Sequence, residues 1–198
     1  MCCVLGLREM TETDLPLVEG WLGEPHVARW YLDGSTLERE LAECRRSLAA
    51  AHPTHLYVVE EDGWPIGWCQ WYRCDDYPDH AAAVGASAGD VGIDYAIGDP
   101  SKIGIGSGTE LIGALVALIA EFDPSVGVIA DPDAANLASR GVLERNGFEL
   151  LGERPLPSEA VSTPMAIYRL APPARRRPER GSVTNRSSRA GPAGRDSS

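Results

Sequence analysis

Asp94 lies in the middle of a strand-like run, Asp90-Val91-Gly92-Ile93-Asp94-Tyr95-Ala96-Ile97-Gly98. A glycine-rich stretch follows it, Lys102-Ile103-Gly104-Ile105-Gly106-Ser107-Gly108-Thr109, and opens an apolar run from Thr109 to Ala120 that reads as a helix. Strand, glycine-rich turn and helix together make an anion cradle. Bare backbone N–H groups and the positive end of a helix dipole are aimed at phosphate. A carboxylate one strand-length upstream then meets whatever the phosphate-bearing ligand delivers. It can hold a cation and accept its proton, directly or through water. The bland reading of Asp94 is a strand carboxylate satisfied by a neighbouring backbone group or an arginine. Asp94, Asp131 and Asp79 together in an acidic chain favour the functional reading.

Other phosphate loops fit less well. A Walker loop needs Gly-Lys-Ser/Thr, and no lysine lies within the loop after Gly104. A Rossmann turn follows the first strand of a βαβ unit and has an acid about 20 residues on. This loop sits mid-chain, after several antiparallel-looking strands. The remaining alternative is a flexible turn with incidental glycines, which three alternating glycines between a strand and a helix disfavour.

The elements that must position these residues are read from pattern and punctuation. Val4–Arg8 is a short strand. Thr11-Glu12-Thr13-Asp14 caps a helix carrying Leu15, Val18, Trp21 and Leu22. Pro25 breaks it, and His26–Tyr31 is an aromatic loop or short helix. A second helix starts at Ser35-Thr36 and runs to Ala51, where Pro53 stops it. Leu56–Glu60 and Ile66–Tyr72 form a hairpin about the turn Glu61-Asp62-Gly63. Asp75–Ala88 reads as a long loop. Val126–Ala130 is a buried-type strand, Asn136–Asn146 a helix ended by Gly147, and Phe148–Gly152 and Pro164–Leu170 are the last strands. The whole is an α/β fold around a mixed, mostly antiparallel sheet, with parallel pairing where the glycine-loop helix crosses over.

Composition bounds the function. The 198 residues fit one domain with a sizeable core, and no apolar run approaches the ~20 residues of a membrane span. No signal peptide is evident, and the five cysteines (Cys2, Cys3, Cys44, Cys69, Cys74) are odd and scattered, which points to reduced thiols in the cytoplasm. Cys69 and Cys74 lack a second ligand pair, and His80 is the one histidine nearby, so no metal is expected. The net charge is −11 although the segment from Ala171 onward carries seven arginines against Glu179 and Asp196, so the body is more acidic still. That argues against nucleic acid and for a cationic partner, although acidity also serves solubility alone. The segment 171–198 has almost nothing apolar and is expected to be a disordered tail.

The layout resembles the Gcn5-related N-acetyltransferase (GNAT) superfamily. Several segments resemble, more narrowly, the aminoglycoside 6′-N-acetyltransferases: Leu7–Leu15, Trp21-Leu22 with His26–Trp30, Pro65–Tyr72, Gly92-Ile93-Asp94 with the glycine loop, Asp131-Pro132 with Asn136-Leu137, and Glu144 with Gly147-Phe148. The resemblance covers about residues 5–170. It implies a GNAT fold, a mixed mostly antiparallel sheet flanked by helices, over 1–170. It implies acetyl-CoA as co-substrate and the 6′-amine of an aminoglycoside, a small cationic substrate, as acceptor, which is an antibiotic-resistance activity. It implies a cytoplasmic enzyme, monomeric or homodimeric, without a metal, nucleic-acid or membrane partner.

Residue by residue, the resemblance places the coenzyme pyrophosphate on Ile103, Gly104, Ile105, Gly106, Ser107, Gly108 and Thr109. The strand after Asp94 pairs with the pantetheine arm, and Asn136 lies near the thioester. Asp94 and Asp131 face the ammonium groups, and Trp30, Tyr31, Gln70, Tyr72 and Asp79 line the same pocket. Asp94 carries the catalysis. Two departures stand out. The family has a tyrosine on the helix after Asn136, often assigned to protonate the departing thiolate, where this chain has Leu143. Tyr168 and water are the substitutes. The family also has aromatics where this chain has Ala81-Ala82-Ala83. Two other readings stay open. One is an acyl-CoA-dependent lysine or hydroxylysine acyltransferase of siderophore assembly, whose members typically carry His where this chain has Asp94. The other is a weakly active CoA-binding module. Among the aromatics, Trp21 is expected in the core, one of Trp68 and Trp71 in the core and the other in the pocket, and Trp30 in the pocket or as a plug. His26 is read as a satisfied loop histidine.

Overall fold

Alternation and caps set the order of elements in the computed structural model, which describes residues 4–156 and 163–172. Cys2, Cys3 and almost all of the arginine-rich tail lie outside the described residues. The strands are β1 (Leu5–Glu9), β2 (Thr54–Glu61), β3 (Trp64–Arg73), β4 (Val91–Ile97), β5 (Val128–Ala130), β6 (Glu149–Arg154) and β7 (Met165–Leu170). The helices are α1 (Leu15–Gly23), α2 (Pro25–Tyr31), α3 (Leu37–Ser47), α4 (Pro78–Val84), α5 (Ser107–Phe122) and α6 (Leu137–Arg145). The strands form one sheet in the order β1-β2-β3-β4-β5-β7-β6. Among the described strands only β4 and β5 run parallel, and α5 is their crossover, since a parallel pair cannot be joined by a tight turn.

Strand alternation sorts the side chains onto two faces. Cys69 and Trp71 of β3 and Val91 and Ile93 of β4 pack with Leu111, Ile112, Leu115 and Ile119 of α5. Trp68 and Ala96 face the other way and pack with Val18, Trp21, Leu22 and Val27 of α1 and α2. Trp68 and Trp71 therefore do lie on opposite faces, but both are buried in core, so neither is a pocket residue. Trp21 stacks on Trp68 with ring centroids 5.9 Å apart, as a core residue should.

One irregularity matters for function. β4 and β5 are joined only at Val91↔Val128 and Gly92↔Ile129. Beyond that point no register pair links them, and β4 continues to Ile97 paired with β3 alone. The sheet is open there, with Asp94, Tyr95, Ala96 and Ile97 along the gap.

Three segments differ from the sequence expectation. Asp75–Ala88 is not a long loop: a 3₁₀ turn over Cys74–Asp76 leads into α4. Pro78 supplies the first helical position, Ala81-Ala82-Ala83 are strong helix formers, and Gly85 closes the end at φ +73°. α3 stops at Ser47 rather than Ala51, because Ala49 N and His52 N bond back to Arg46 O and Ala49 O as successive turns. α5 also starts two residues before Thr109, at Ser107 behind Gly106.

Candidate active site

Two depressions meet at the gap between β4 and β5. The first, a groove of about 760 Å³, runs between the glycine loop, the open end of β4 and α6. Its walls are largely backbone and aliphatic carbon: Tyr95, Ala96 and Ile97, then Ile103, Gly104, Gly106, Gly108 and Thr109, then Asn136–Ser139, Gly141 and Val142. Gly104 and Gly106 sit at φ +77° and +110°, a region costly for side-chain-bearing residues. A Cβ at either would meet nothing within 4 Å, so their backbone faces open space. The first intrahelical bonds of α5 run from Thr109 N and Glu110 N to Gly106 O, at 2.9 and 3.1 Å. The N–H groups of Ser107 and Gly108 therefore precede the helical ladder, at the positive end of a sixteen-residue helix. Lys102 and Arg145 add positive charge along the groove, Lys102 in an ion pair with Glu61.

The second depression is built differently. Side chains line it from α2 and α3, from β3 and β4, from α4 and from the segment after β5. Six carboxylates face it (Asp33, Glu40, Glu43, Asp94, Asp131 and Asp133) against Arg29 and Arg39. Asp94 and Gln70 are directly opposed across the β3–β4 ladder, and Gln70 Nε2 donates to Asp94 Oδ2 at 2.8 Å. Gly92 lets the Tyr72 ring lie flat on β4 beside them. A Cβ there would sit 2.4 Å from Tyr72 Cζ. The Tyr72 hydroxyl is 3.4 Å from His80 Nε2, and His80 Nε2 is 3.6 Å from Asp131 Oδ2. Burial pushes the phenols of Tyr31, Tyr72 and Tyr95 well up, with the charge of Asp94 adding to the same shift, so all three are neutral O–H groups at neutral pH.

Trp30, Tyr31, Tyr95, Asn136 and Ser139 line both depressions and mark where they join. Asn136 caps α6, its Oδ1 accepting from Ser139 N at 3.1 Å. The Tyr95 hydroxyl is 2.6 Å from Ser139 Oγ and donates more weakly to Ser139 O at 3.3 Å. Tyr31 tilts against Trp68 at 5.2 Å, on the Asp94 face of the sheet.

The residues singled out from the sequence distribute as follows. Ile103, Gly104, Gly106, Gly108, Thr109 and Asn136 line the groove. Ile105 points to solvent at 66% exposure, and Ser107 is buried beneath the loop. Trp30, Tyr31, Gln70, Tyr72, Asp94 and Asp131 line the acidic cleft. Asp79 does not. It lies exposed on α4, and its neighbour His80 is the residue that faces the cleft, a choice that the helical turn makes and a loop reading cannot see. His26 lines the groove as a satisfied histidine, Nε2 donating to Ile97 O at 2.9 Å. Leu143 is fully buried in the main core. Tyr168 offers no free hydroxyl. It donates to Glu144 Oε1 at 2.7 Å, accepts from Arg140 Nε at 3.1 Å, and lines neither depression. Burial pushes the Cys74 thiol up to about 12 and Cys69 higher, so neither is a ready thiolate. Among the described residues no group of His, Cys, Asp and Glu is arranged to hold a metal. No helix among them is long and apolar enough to cross a membrane. Tyr95, Ser139 and His80 are the site residues that sequence reasoning missed.

Comparison with known proteins gives this geometry a context. Residues 10–156 match the acetyltransferase (GNAT) domain. An aminoglycoside N(6′)-acetyltransferase type 1 from Klebsiella pneumoniae is 34% identical over 151 residues, 74% of each chain. Lysine N-acyltransferase MbtK from Mycobacterium tuberculosis is 29% identical over 171 residues, 85% of this chain and 78% of its own. Among solved structures, aminoglycoside acetyltransferase AAC(6′)-Ib in complex with coenzyme A and kanamycin superposes with a TM-score of 0.67 at 29% identity, over 85% of this chain and 95% of that one. The same acetyltransferase with paromomycin and acetyl-CoA superposes with a TM-score of 0.67 at 30% identity, over 84% and 93%.

Proposed function

The chain belongs to the GNAT acetyltransferase family, and from that premise we propose that it transfers the acetyl group of acetyl-CoA to the 6′-amine of an aminoglycoside. The observation that carries this reading is the position of Asp94. It is a carboxylate oriented by Gln70, inside an acidic cleft, one residue before Tyr95, which lines the join between that cleft and a groove suited to coenzyme A. Relatives of this chain carry the named activity, and one of them has been solved with coenzyme A and kanamycin together.

The groove fits the coenzyme on its own terms. Gly104 and Gly106 expose backbone without a Cβ, and the start of α5 offers N–H groups and a positive dipole to a pyrophosphate. Ile103–Thr109 would hold that group. The open end of β4 offers its backbone to the amide-bearing pantetheine arm, and Asn136 stands where the thioester would end. When bound, acetyl-CoA supplies the activated acyl group.

The chain's residues then have defined tasks. The carboxylates of the acidic cleft attract a polycation and exchange its hydration for charge-assisted hydrogen bonds. Asp94 accepts a proton from the reacting ammonium, since an amine without a lone pair cannot attack. The join between the depressions holds amine and thioester together, which supplies a large share of the rate. Asp131, with His80 and Tyr72 beside it, orients the remaining ammonium groups. The role fits antibiotic resistance.

A second acceptor is kept in view by the similarity to a lysine N-acyltransferase. One assay separates the readings. Purified protein with acetyl-CoA is given kanamycin, tobramycin or lysine derivatives, and free thiol is followed. The proposal expects thiol release with the aminoglycosides. Turnover with lysine derivatives alone would transfer the reading to the second acceptor, and coenzyme binding without turnover on any amine would make the chain a CoA-binding module.

A further inference from the structure

Aminolysis of a thioester has two ends. A nitrogen must lose a proton, and a sulfur must leave with an electron pair and gain one. Asp94 serves the first end. For the second, the join between the two depressions holds three hydroxyls: Tyr31, Tyr95 and Ser139. Tyr31 packs against Trp68, on the Asp94 face of the sheet. Tyr95 follows Asp94 directly in β4 and so projects from the opposite face, toward α6. There it meets Ser139 Oγ at 2.6 Å.

We propose that Tyr95 and Ser139 act as the proton-donating pair for the departing coenzyme A sulfur, with Ser139 Oγ as the group that touches it. This rests on the acetyl-transfer reading above. The shorter of the two Tyr95 contacts is to Ser139 Oγ rather than to Ser139 O. Either hydroxyl can donate in that bond, and in the arrangement where the Tyr95 proton lies on it the Ser139 proton is released to turn toward the junction. Ser139 also sits in the first turn of α6, where the helix dipole stabilises negative charge on a nearby sulfur. The base Asp94 and the relay Tyr95 thus stand on consecutive residues of one strand, on opposite faces of the sheet.

The step balances. Asp94 first takes a proton from the ammonium and passes it to solvent; the neutral amine nitrogen then forms its bond to the acetyl carbon and loses a second proton to Asp94. The carbon–sulfur bond breaks with its electron pair going to sulfur. Sulfur takes the Ser139 proton, Ser139 takes the Tyr95 proton, and Tyr95 recovers one from water, which collects the proton held by Asp94. Burial keeps the Tyr95 phenol protonated across the neutral range, so the relay holds its proton before each turnover.

The test reads the sulfur directly, without turnover. Coenzyme A is bound to the protein and its thiol is titrated by thiolate ultraviolet absorbance. Hydrogen bonds from the pair lower the bound thiol below the about 8.5 of an ordinary thiol. Tyr95→Phe and Ser139→Ala each move it back up, and Ser139→Thr, which keeps a hydroxyl, restores it. In parallel, single-turnover acetyl transfer to kanamycin should slow about tenfold to a hundredfold in Tyr95→Phe and Ser139→Ala, with acetyl-CoA affinity unchanged. Slow hydrolysis of acetyl-CoA without any amine should slow by a similar factor. A bound thiol that titrates like free coenzyme A in the unsubstituted protein, or a Ser139→Ala protein with unchanged thiol titration and hydrolysis, overturns the pair. Failure with kanamycin while the thiol titration responds as expected would count against the aminoglycoside reading and leave the pair standing.

Discussion

The groove and the acidic cleft share β4 yet are made of different material. The groove presents backbone: Gly104 and Gly106 at positive φ, the N-terminal N–H groups of α5, and the unpaired end of β4. The cleft presents side chains from α2, α3, α4, β3, β4 and the segment after β5, brought together from far apart in sequence. A backbone site recognises a constant chemical group and tolerates change in most side chains around it. A side-chain site sets which acceptor is used, and each residue in it can change that choice. The gap between β4 and β5 is what makes one enzyme of the two, because the two depressions join there.

If that division of labour holds, substitutions should affect one ligand and spare the other. The largest effect is expected for Asp94→Asn. Turnover with kanamycin should fall at least a hundredfold, the range for a lost general base, while calorimetry finds acetyl-CoA binding unchanged. Loss of acetyl-CoA binding in that variant would break the comparison. Gly106→Ala forces a side-chain-bearing residue to φ +110°, at a cost of about 1–2 kcal/mol, so acetyl-CoA affinity should fall about tenfold with the aminoglycoside KM unchanged. Asp131→Asn should raise the aminoglycoside KM several-fold with little change in kcat if Asp131, as proposed, orients rather than reacts. Asp79→Ala should leave both KM values within about twofold, because Asp79 faces solvent. A large effect there would mean that α4 changes position when substrate binds.

The same division explains what could be read from the sequence. The glycine loop was legible because its parts are contiguous: strand, alternating glycines and helix occupy Asp90 to Ala120 without interruption. Asp94 was legible as a carboxylate on a strand, and its partner Gln70 as a member of the preceding strand. α4 was not, because acids, Pro78 and the small residues after Val84 resemble a loop in composition, while the Ala81–Ala83 run that makes it a helix is only three residues long. The resemblance put Asp79 in the pocket, whereas the turn of α4 presents His80 to it. Tyr95 and Ser139 were invisible for a different reason. They are 44 residues apart, and only the packing of α6 beside the open end of β4 joins them. Trp68 and Trp71 were correctly separated by alternation, but alternation cannot say that both faces of β3 are covered at those positions.

The central claim is that the coenzyme groove and the acidic cleft meet at the β4–β5 gap. A crystal structure with coenzyme A and kanamycin bound tests it most directly. The account predicts the pyrophosphate on Ile103–Thr109, the sulfur beside Asn136 and Ser139, and the 6′-amine within hydrogen-bonding distance of Asp94. A kanamycin whose 6′-amine lies away from Asp94, or a coenzyme whose sulfur does not reach the gap, would contradict it.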